Sequence, residues 1–266
     1  MKNWVIAVVV ILSLGIISLG YFSIRQSSDL NTVKKQIVTL NSSLSSLNET
    51  FTTLSEVTPS PAVQTTSTTV NTMVNLVPQI EPVIVRIDVN GVGFKAAGSG
   101  IIIRKDGYII TNQHVINSAE SITATLKNGQ KYPATVDSSD PDIDLAIIKL
   151  TGSPSNLPTV VLGSITDAVI GVNVVAGGFP LGNELPGPAS FTRGIVSAIR
   201  NIDGQKFVQT DVEINPGSSG GGLFILNANL IGITSGAVLP PGEDVEGLGL
   251  AIPIDTIQTY IQNNLK

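Results

Sequence analysis

Gly217-Ser218-Ser219-Gly220-Gly221 sets a serine between glycines, where a tight turn can bring backbone N–H groups to one point. Such a loop offers a nucleophilic hydroxyl, together with donors for the oxyanion that forms when it attacks a carbonyl. The hydroxyl needs a base, and the chain has a single histidine, His114. That imidazole needs a carboxylate to fix its tautomer. Asp144 is the best candidate, because it heads the apolar run Leu145-Ala146-Ile147-Ile148 and can enter the interior beside a strand. Asp137, Asp140 and Asp142 lie in a polar turn instead. Each residue alone has an ordinary structural role open to it: a core histidine, a strand cap, a serine in a glycine loop. In combination they point to acyl transfer through a covalent intermediate.

Composition removes several other chemistries. With no cysteine there is no disulfide framework, Cys-ligated zinc, thiol catalysis or lipid-modified N-terminal cysteine, and one histidine cannot make a multi-histidine metal site. A formal charge of -5 and a pI near 4.8 argue against a phosphate-binding surface, so nucleic acid is set aside as a partner. The chain has 266 residues, 42% of them hydrophobic, which is ample for a core.

The elements that must position these groups lie between residues 70 and 266, where short β-branched runs alternate with Gly, Pro and Asn turns. Val83, Val85, Ile87 and Val89 alternate with Ile84, Arg86 and Asp88, the period of a half-buried strand. Asp106-Gly107 and Asn128-Gly129 each separate two strand-like runs and predict hairpins. Further runs lie at 145–150, 172–176, 207–210 and 230–233. The one clear helix is terminal, with Asp255 as a possible cap and Ile257, Ile261 and Leu265 on one face. Many closely spaced strands argue an all-β barrel or sandwich. The G-x-S-x-G elbow of α/β-hydrolases is excluded, since His114 precedes the serine and the context is strand-rich. The order His114, Asp144, Ser219 is that of a chymotrypsin-like double β-barrel.

Three stretches precede this domain. Residues 1–28 hold an uncharged span from Trp4 to Ile24, long enough to cross a bilayer, and it is read as a retained transmembrane anchor. The flanking Lys and Arg residues do not set its orientation. Across 29–55, apolar residues fall at Leu30, Val33, Ile37, Leu40, Leu44, Leu47, Phe51 and Leu54, the seam of a coiled-coil stalk. The Ser and Thr residues between them weaken the helix, and a flexible spacer is the alternative. Asn41-Ser42-Ser43 and Asn48-Glu49-Thr50 are glycosylation sequons on its flank. Residues 56–69, with Pro59, Pro61 and many Ser and Thr, form a linker.

The catalytic part resembles the HtrA/Deg family of trypsin-like serine proteases. The resemblance rests on Gly98-Ser99-Gly100 followed by Ile101 to Ile103, on Asp106 to Val115 around His114, and on Asp144-Leu145-Ala146. Thr210-Asp211, Ile214 to Gly221, Gly194 to Ser197 and Ala251-Ile252-Pro253 extend it, in order, from about residue 70 to 262. Ser218 stands where the family usually has Asn, and Gly222 where it usually has Pro. Neither position supplies a catalytic group. The chain stops after the terminal helix, where most members continue into a peptide-binding PDZ domain, so recognition through such a domain does not carry over.

The resemblance implies a serine endopeptidase with His114, Asp144 and Ser219 as the triad and the Gly217 and Ser219 amides as the oxyanion hole. Polypeptides, unfolded or damaged, would be the substrates in extracytoplasmic quality control, with no metal or organic cofactor. Glu213, Ile214, Ala237 and Val238 would lie at the primary specificity pocket. Because an unpaired buried carboxylate is costly, Glu213 is expected to face solvent and the residue before the cut to be Val, Ala or Ile. Members usually associate as trimers, so a homotrimer above a three-stranded stalk is expected. The rival is a non-proteolytic chaperone or binding module on the same fold.

Overall fold

A computed structural model of the chain describes residues 34–46, 73–152, 154–182, 184–236 and 247–265. The chain divides into two units, Met1–Thr68 and Thr69–Lys266. The predicted span at 1–28 and the linker at 56–69 lie outside the described residues, as do both ends of the expected stalk. No helix among the described residues is long and apolar enough to cross a membrane.

In the first unit, residues 34–46 form a helix, α1, exposed along its whole length. Its hydroxyls bond back to the carbonyls of the preceding turn: Thr39 to Lys35, Ser43 to Thr39, Ser45 to Asn41. This is how residues of poor helix propensity are accommodated in a helix. The seam residues Ile37, Leu40 and Leu44 are 54%, 70% and 67% exposed, an apolar stripe without a cover in the single chain.

The second unit opens with α2 (Met73–Ile80), whose Leu76 and Ile80 are buried. This helix was not anticipated: its eight residues include Pro78 and Val74, which read locally as extended chain, and tertiary burial overrides that preference. β1 (Ile84–Gly91), β2 (Phe94–Arg104), β3 (Tyr108–Thr111), the single turn α3 (Gln113–Ile116), β4 (Ser121–Thr125), β5 (Lys131–Asp140) and β6 (Leu145–Leu150) follow. Their strands close into a barrel in the order β1-β2-β3-β6-β5-β4. The hairpins turn where expected, with Gly107 at φ 96° and Gly129 at φ 82°.

The second barrel comprises β8 (Asn173–Gly178), β9 (Ser190–Ile202), β10 (Gln205–Thr210), β11 (Gly222–Ile225), β12 (Asn229–Ser235) and β13 (Gly249–Pro253). The order is β11-β8-β9-β10-β13-β12, a β11–β12 pairing closes it, and the two-residue β7 (Val161–Leu162) runs parallel to β12. The closing helix, α4 (Ile254–Asn264), starts one residue before Asp255, with Pro253 at the cap position. Asp255 therefore sits in the first turn rather than capping it, and its carboxylate takes a hydrogen bond from Lys206 at 2.8 Å. Ile257 is buried as expected, joined by Ile254 and Tyr260.

Side-chain alternation splits the apolar residues into a filling for each barrel and a third cluster that the two barrels share. Val85, Ile109, Ala146 and Ile148 fill the first barrel; Val174, Val208, Leu223 and Ile231 fill the second. Ile84, Ile110, Leu145 and Ile147, on the outer faces of the first barrel's strands, join Val175, Phe207, Phe224 and Ile252 in the shared cluster. β1 thus begins buried on both faces, where alternation alone predicts one wet face, because α2 and the second barrel cover the other. Each fully buried branched side chain contributes about 1.5–3 kcal/mol, which makes this cluster the main adhesive between the barrels.

At the β2–β3 turn, Lys149 donates to the Asp106 carbonyl at 2.7 Å and pairs with its carboxylate at 2.9 Å, with its ammonium 3.9 Å from the centre of the Tyr108 ring. The Lys149 hydrogen bond, with the nearby Lys149 and Arg104 charges, lowers the Asp106 pKa below the usual carboxylate value. A depressed pKa stabilises the fold above the unfolded carboxyl's value, and that contribution disappears as pH falls through the folded one. Asp106→Asn is expected to lower Tm slightly at pH 7, as a half-exposed pair should. The difference from wild type should shrink steadily as pH falls below the ordinary carboxyl pKa of about 3.9, and a difference that does not change with acidification would refute the charge as its cause.

Candidate active site

His114 lies on α3, anchored by the buried neighbours Val115 and Ile116. Its Nδ1 is 2.9 Å from both carboxylate oxygens of Asp144, and its backbone N–H donates to Oδ1 at 3.0 Å. An ionised carboxylate only accepts, so Nδ1 carries the proton and Nε2 keeps a lone pair that can accept a hydroxyl proton. The Asp144 backbone is held as firmly as its side chain. Its carbonyl accepts from the Gln113 N–H at 3.2 Å and from Nδ2 of the buried Asn112 at 2.9 Å. Asp144 adopts φ 55°, a left-handed conformation that costs a non-glycine residue of order 1 kcal/mol and persists only where surrounding contacts impose it.

The serine loop joins β10 to β11 across the top of the second barrel. Ser219 is 7% exposed, and its Oγ accepts the Gly236 N–H at 3.1 Å. A hydroxyl accepts twice and donates once, so this contact leaves the Ser219 hydrogen available to a base. Among the described residues no hydrogen bond joins Ser219 to His114; such bonds often tighten only with substrate present. The residue before Gly236 ties the two together: Ser235 Oγ donates to Asp144 Oδ2 at 3.0 Å. Adjacent residues, Ser235 at the end of β12 and Gly236 after it, therefore touch the Asp144 carboxylate on one side and the Ser219 hydroxyl on the other.

Around Ser219 the loop is held by backbone bonds. Ser218 N–H reaches the Asn215 carbonyl, Gly220 N–H the Thr234 carbonyl and Gly221 N–H the Ser218 carbonyl, each at 2.9 Å. Among the described residues neither the Gly217 nor the Ser219 N–H donates to a protein acceptor, which leaves both for an oxyanion. Gly217, at φ 92°, admits no side chain: a Cβ there would lie 2.5 Å from the Phe179 carbonyl oxygen. At Gly220 a Cβ would come within 2.1 Å of the Ser99 carbonyl oxygen.

Of the residues expected at the specificity pocket, Ile214 is half-buried, its Cδ1 2.8 Å from where a Cβ on Gly249 would stand. Glu213 is exposed and its carboxylate accepts from Asn215 Nδ2 at 3.1 Å. Ala237 and Val238 lie outside the described residues. The side chain of Ser218, where the family usually has Asn, takes no described hydrogen bond, and Gly222 leaves room for the Phe224 ring. Asn112 and Ser235 were not singled out from the sequence. The pattern around Asn112 was visible as part of the histidine segment, whereas nothing local marks Ser235.

Two closed barrels with an imidazole–carboxylate pair from the first and a glycine-framed serine from the second define a chymotrypsin-type serine protease domain. A trypsin-like peptidase domain model matches residues 98–233. The periplasmic pH-dependent serine endoprotease DegQ of Escherichia coli is 39% identical over 175 residues, covering 64% of this chain and 37% of that protein. Among solved structures, the HtrA-type protease AlgW with tripeptide superposes with a TM-score of 0.65 at 33% identity, covering 71% of this chain and 62% of that one. The serine endoprotease from Yersinia pestis gives 0.60 at 34%, covering 71% and 64%. The chain belongs to the trypsin-like peptidase family, in its HtrA branch. It spans about a third of the length of the curated relatives it matches.

Ser235→Ala removes one hydrogen bond to the Asp144 carboxylate and leaves its two contacts with His114. If the site is the centre of hydrolysis, kcat/KM for a peptide substrate should fall about 5- to 20-fold, the equivalent of 1–2 kcal/mol for one hydrogen bond to a charged group. Unchanged kcat/KM would assign the hydroxyl a packing role only.

Proposed function

We propose that the chain is a membrane-tethered serine endopeptidase that cleaves unfolded or damaged polypeptides outside the cytoplasm. The observation that carries this reading is the His114–Asp144 pair, joined through Ser235 and Gly236 to the Ser219 hydroxyl. In the proposed cycle, His114 Nε2 takes the Ser219 proton as Oγ attacks the peptide carbonyl. The Gly217 and Ser219 amides receive the oxyanion, and Asp144 stabilises the imidazolium. His114 then protonates the leaving amine, and a water, activated by the same imidazole, releases the acyl group and restores Ser219.

The periplasmic names of the curated relatives and the uncharged stretch from Trp4 to Ile24 support an anchored, extracytoplasmic domain. Exposure of Glu213 and its bond to Asn215 favour an apolar primary pocket over an acidic one that would select Lys or Arg. A fluorophosphonate is therefore expected to label the chain at Ser219, and Ser219→Ala should abolish both labelling and proteolysis. Activity should fall on acidification, because a protonated imidazole cannot take the serine proton. Mapped cuts should follow Val, Ala or Ile. Binding of unfolded chains without labelling or cleavage would replace this reading with a chaperone module, and cuts after Lys or Arg that Glu213→Ala suppresses would overturn the pocket assignment.

The same reading includes a homotrimer with a parallel stalk over 29–55. A helix of this length and composition is marginal alone, and linking three of them to associated protease domains raises their effective concentration. The apolar stripe of Ile37, Leu40 and Leu44 on α1 supports it. A chain from Gln26 to Lys266 should sediment as a trimer, with Leu40→Asp and Leu47→Asp together melting the stalk while the protease domain stays folded. A monomer at micromolar concentration would refute both stalk and trimer.

A further inference from the structure

Ser99 lies in β2 of the first barrel and is fully buried, yet its side chain bonds only to the loops of the second, among the described residues. Its Oγ donates to the Gly217 carbonyl at 2.8 Å and accepts the Phe179 N–H at 2.9 Å. Its backbone N–H donates to the Ser219 carbonyl, also at 2.9 Å. The space is cut to a small side chain: a Cβ on Gly178 would stand 2.9 Å from Ser99 Oγ, and Gly220 abuts the Ser99 carbonyl on the other side. On the endopeptidase reading above, we infer that Ser99 is a positioning residue for the oxyanion hole, acting through the Gly217 carbonyl and the Phe179 N–H and never touching substrate.

The physical case rests on how little else holds Gly217. A glycine at φ 92° has no side chain to wedge it, and rotation about its backbone bonds re-aims its N–H, one of the two oxyanion donors. One side of the residue is fixed by the Leu181 N–H, which reaches the Pro216 carbonyl at 2.7 Å. The other side, the Gly217 carbonyl, is bonded only to the Ser99 hydroxyl among the described residues. The same hydroxyl satisfies the Phe179 N–H, so it clamps the loop after β8 against the serine loop. Without it the half-buried Gly217 carbonyl and the buried Phe179 N–H lose their partner together, and the loop that carries Leu181 is freed from the serine loop. With that loop loosened, Leu181 loses its hold on the Pro216 carbonyl, and the peptide plane that carries the Gly217 N–H turns out of the hole. The triad is untouched, because His114 and Asp144 take their hydrogen bonds from Asn112, Gln113 and Ser235.

The test compares full-length wild type with Ser99→Ala on an acyl-valine ester and its thionoester. A thiocarbonyl sulfur accepts hydrogen bonds poorly, so the preference for the oxygen ester reports a working oxyanion hole. Ser99→Ala is expected to lower kcat on the oxygen ester about tenfold to a hundredfold, with KM and the pH profile unchanged, and to shrink the oxygen-over-sulfur preference by a similar factor. Thr111→Ala removes the hydroxyl that bonds the Ser99 carbonyl at 2.7 Å without touching Gly217, and should leave the preference intact. Where Ser99→Ala yields no folded protein, Ser99→Cys, which keeps a weak donor and acceptor, should show an intermediate preference. A folded Ser99→Ala or Ser99→Cys with the wild-type preference overturns the inference, as does an equal loss in Thr111→Ala. Wild type that neither hydrolyses the ester nor reacts with a fluorophosphonate overturns the endopeptidase reading itself, a separate result.

Discussion

The site depends on two separately closed barrels keeping one register, and the hydrogen bond from the Ser99 N–H to the Ser219 carbonyl is where that register is held closest to the chemistry. A barrel satisfies its own backbone polar groups internally and has few left to offer a neighbour. Adhesion therefore falls to the shared cluster of Ile84, Ile110, Leu145, Ile147, Val175, Phe207 and Phe224, which is strong but non-directional. Apolar contact alone tolerates sliding. The directional bonds at Ser99 and between Ser235 and Asp144 convert adhesion into a fixed geometry.

The barrels divide the labour. The first contributes side chains, the imidazole and the carboxylate, each pinned from its own backbone: Asn112 and Gln113 hold the Asp144 carbonyl while the His114 N–H holds its carboxylate. That mutual grip sustains the left-handed Asp144 at the head of a strand buried on both faces. The second contributes mostly backbone, a loop in which the N–H groups of Ser218, Gly220 and Gly221 are taken by neighbouring carbonyls while, among the described residues, those of Gly217 and Ser219 are not. A backbone donor cannot be locked by rotamer packing, so the loop relies on glycines that admit close neighbours and on hydroxyls reaching in from β2 and β12.

α1 obeys a different balance. Its serines and threonines spend their hydroxyls on the carbonyls of the preceding turn, which satisfies them locally but gives the helix no tertiary support. Its apolar stripe remains exposed. The apolar faces of α2 and α4, by contrast, are covered by the shared cluster.

Much of the site was legible because scarcity and local pattern suffice for it: a single histidine, a serine framed by glycines, an aspartate heading an apolar run. The hairpins at Asp106-Gly107 and Asn128-Gly129 were legible because turn preference acts over two residues. The strand at 145–150 could be read from its length, though not its burial on both faces, because coverage of the second face by the other barrel leaves no mark in the alternation. Helix α2 escaped for the same reason, since its residues prefer extended chain until Leu76 and Ile80 find the cluster. Ser235 and Ser99 act on partners 91 and 118 positions away, and a serine hydroxyl carries no periodicity that could announce them. By itself the sequence determined which groups could do the chemistry, because side-chain type and short-range spacing are written in it directly. Only the tertiary structure decided what holds them, because a hydrogen-bond partner across a barrel interface exists only once both barrels have closed.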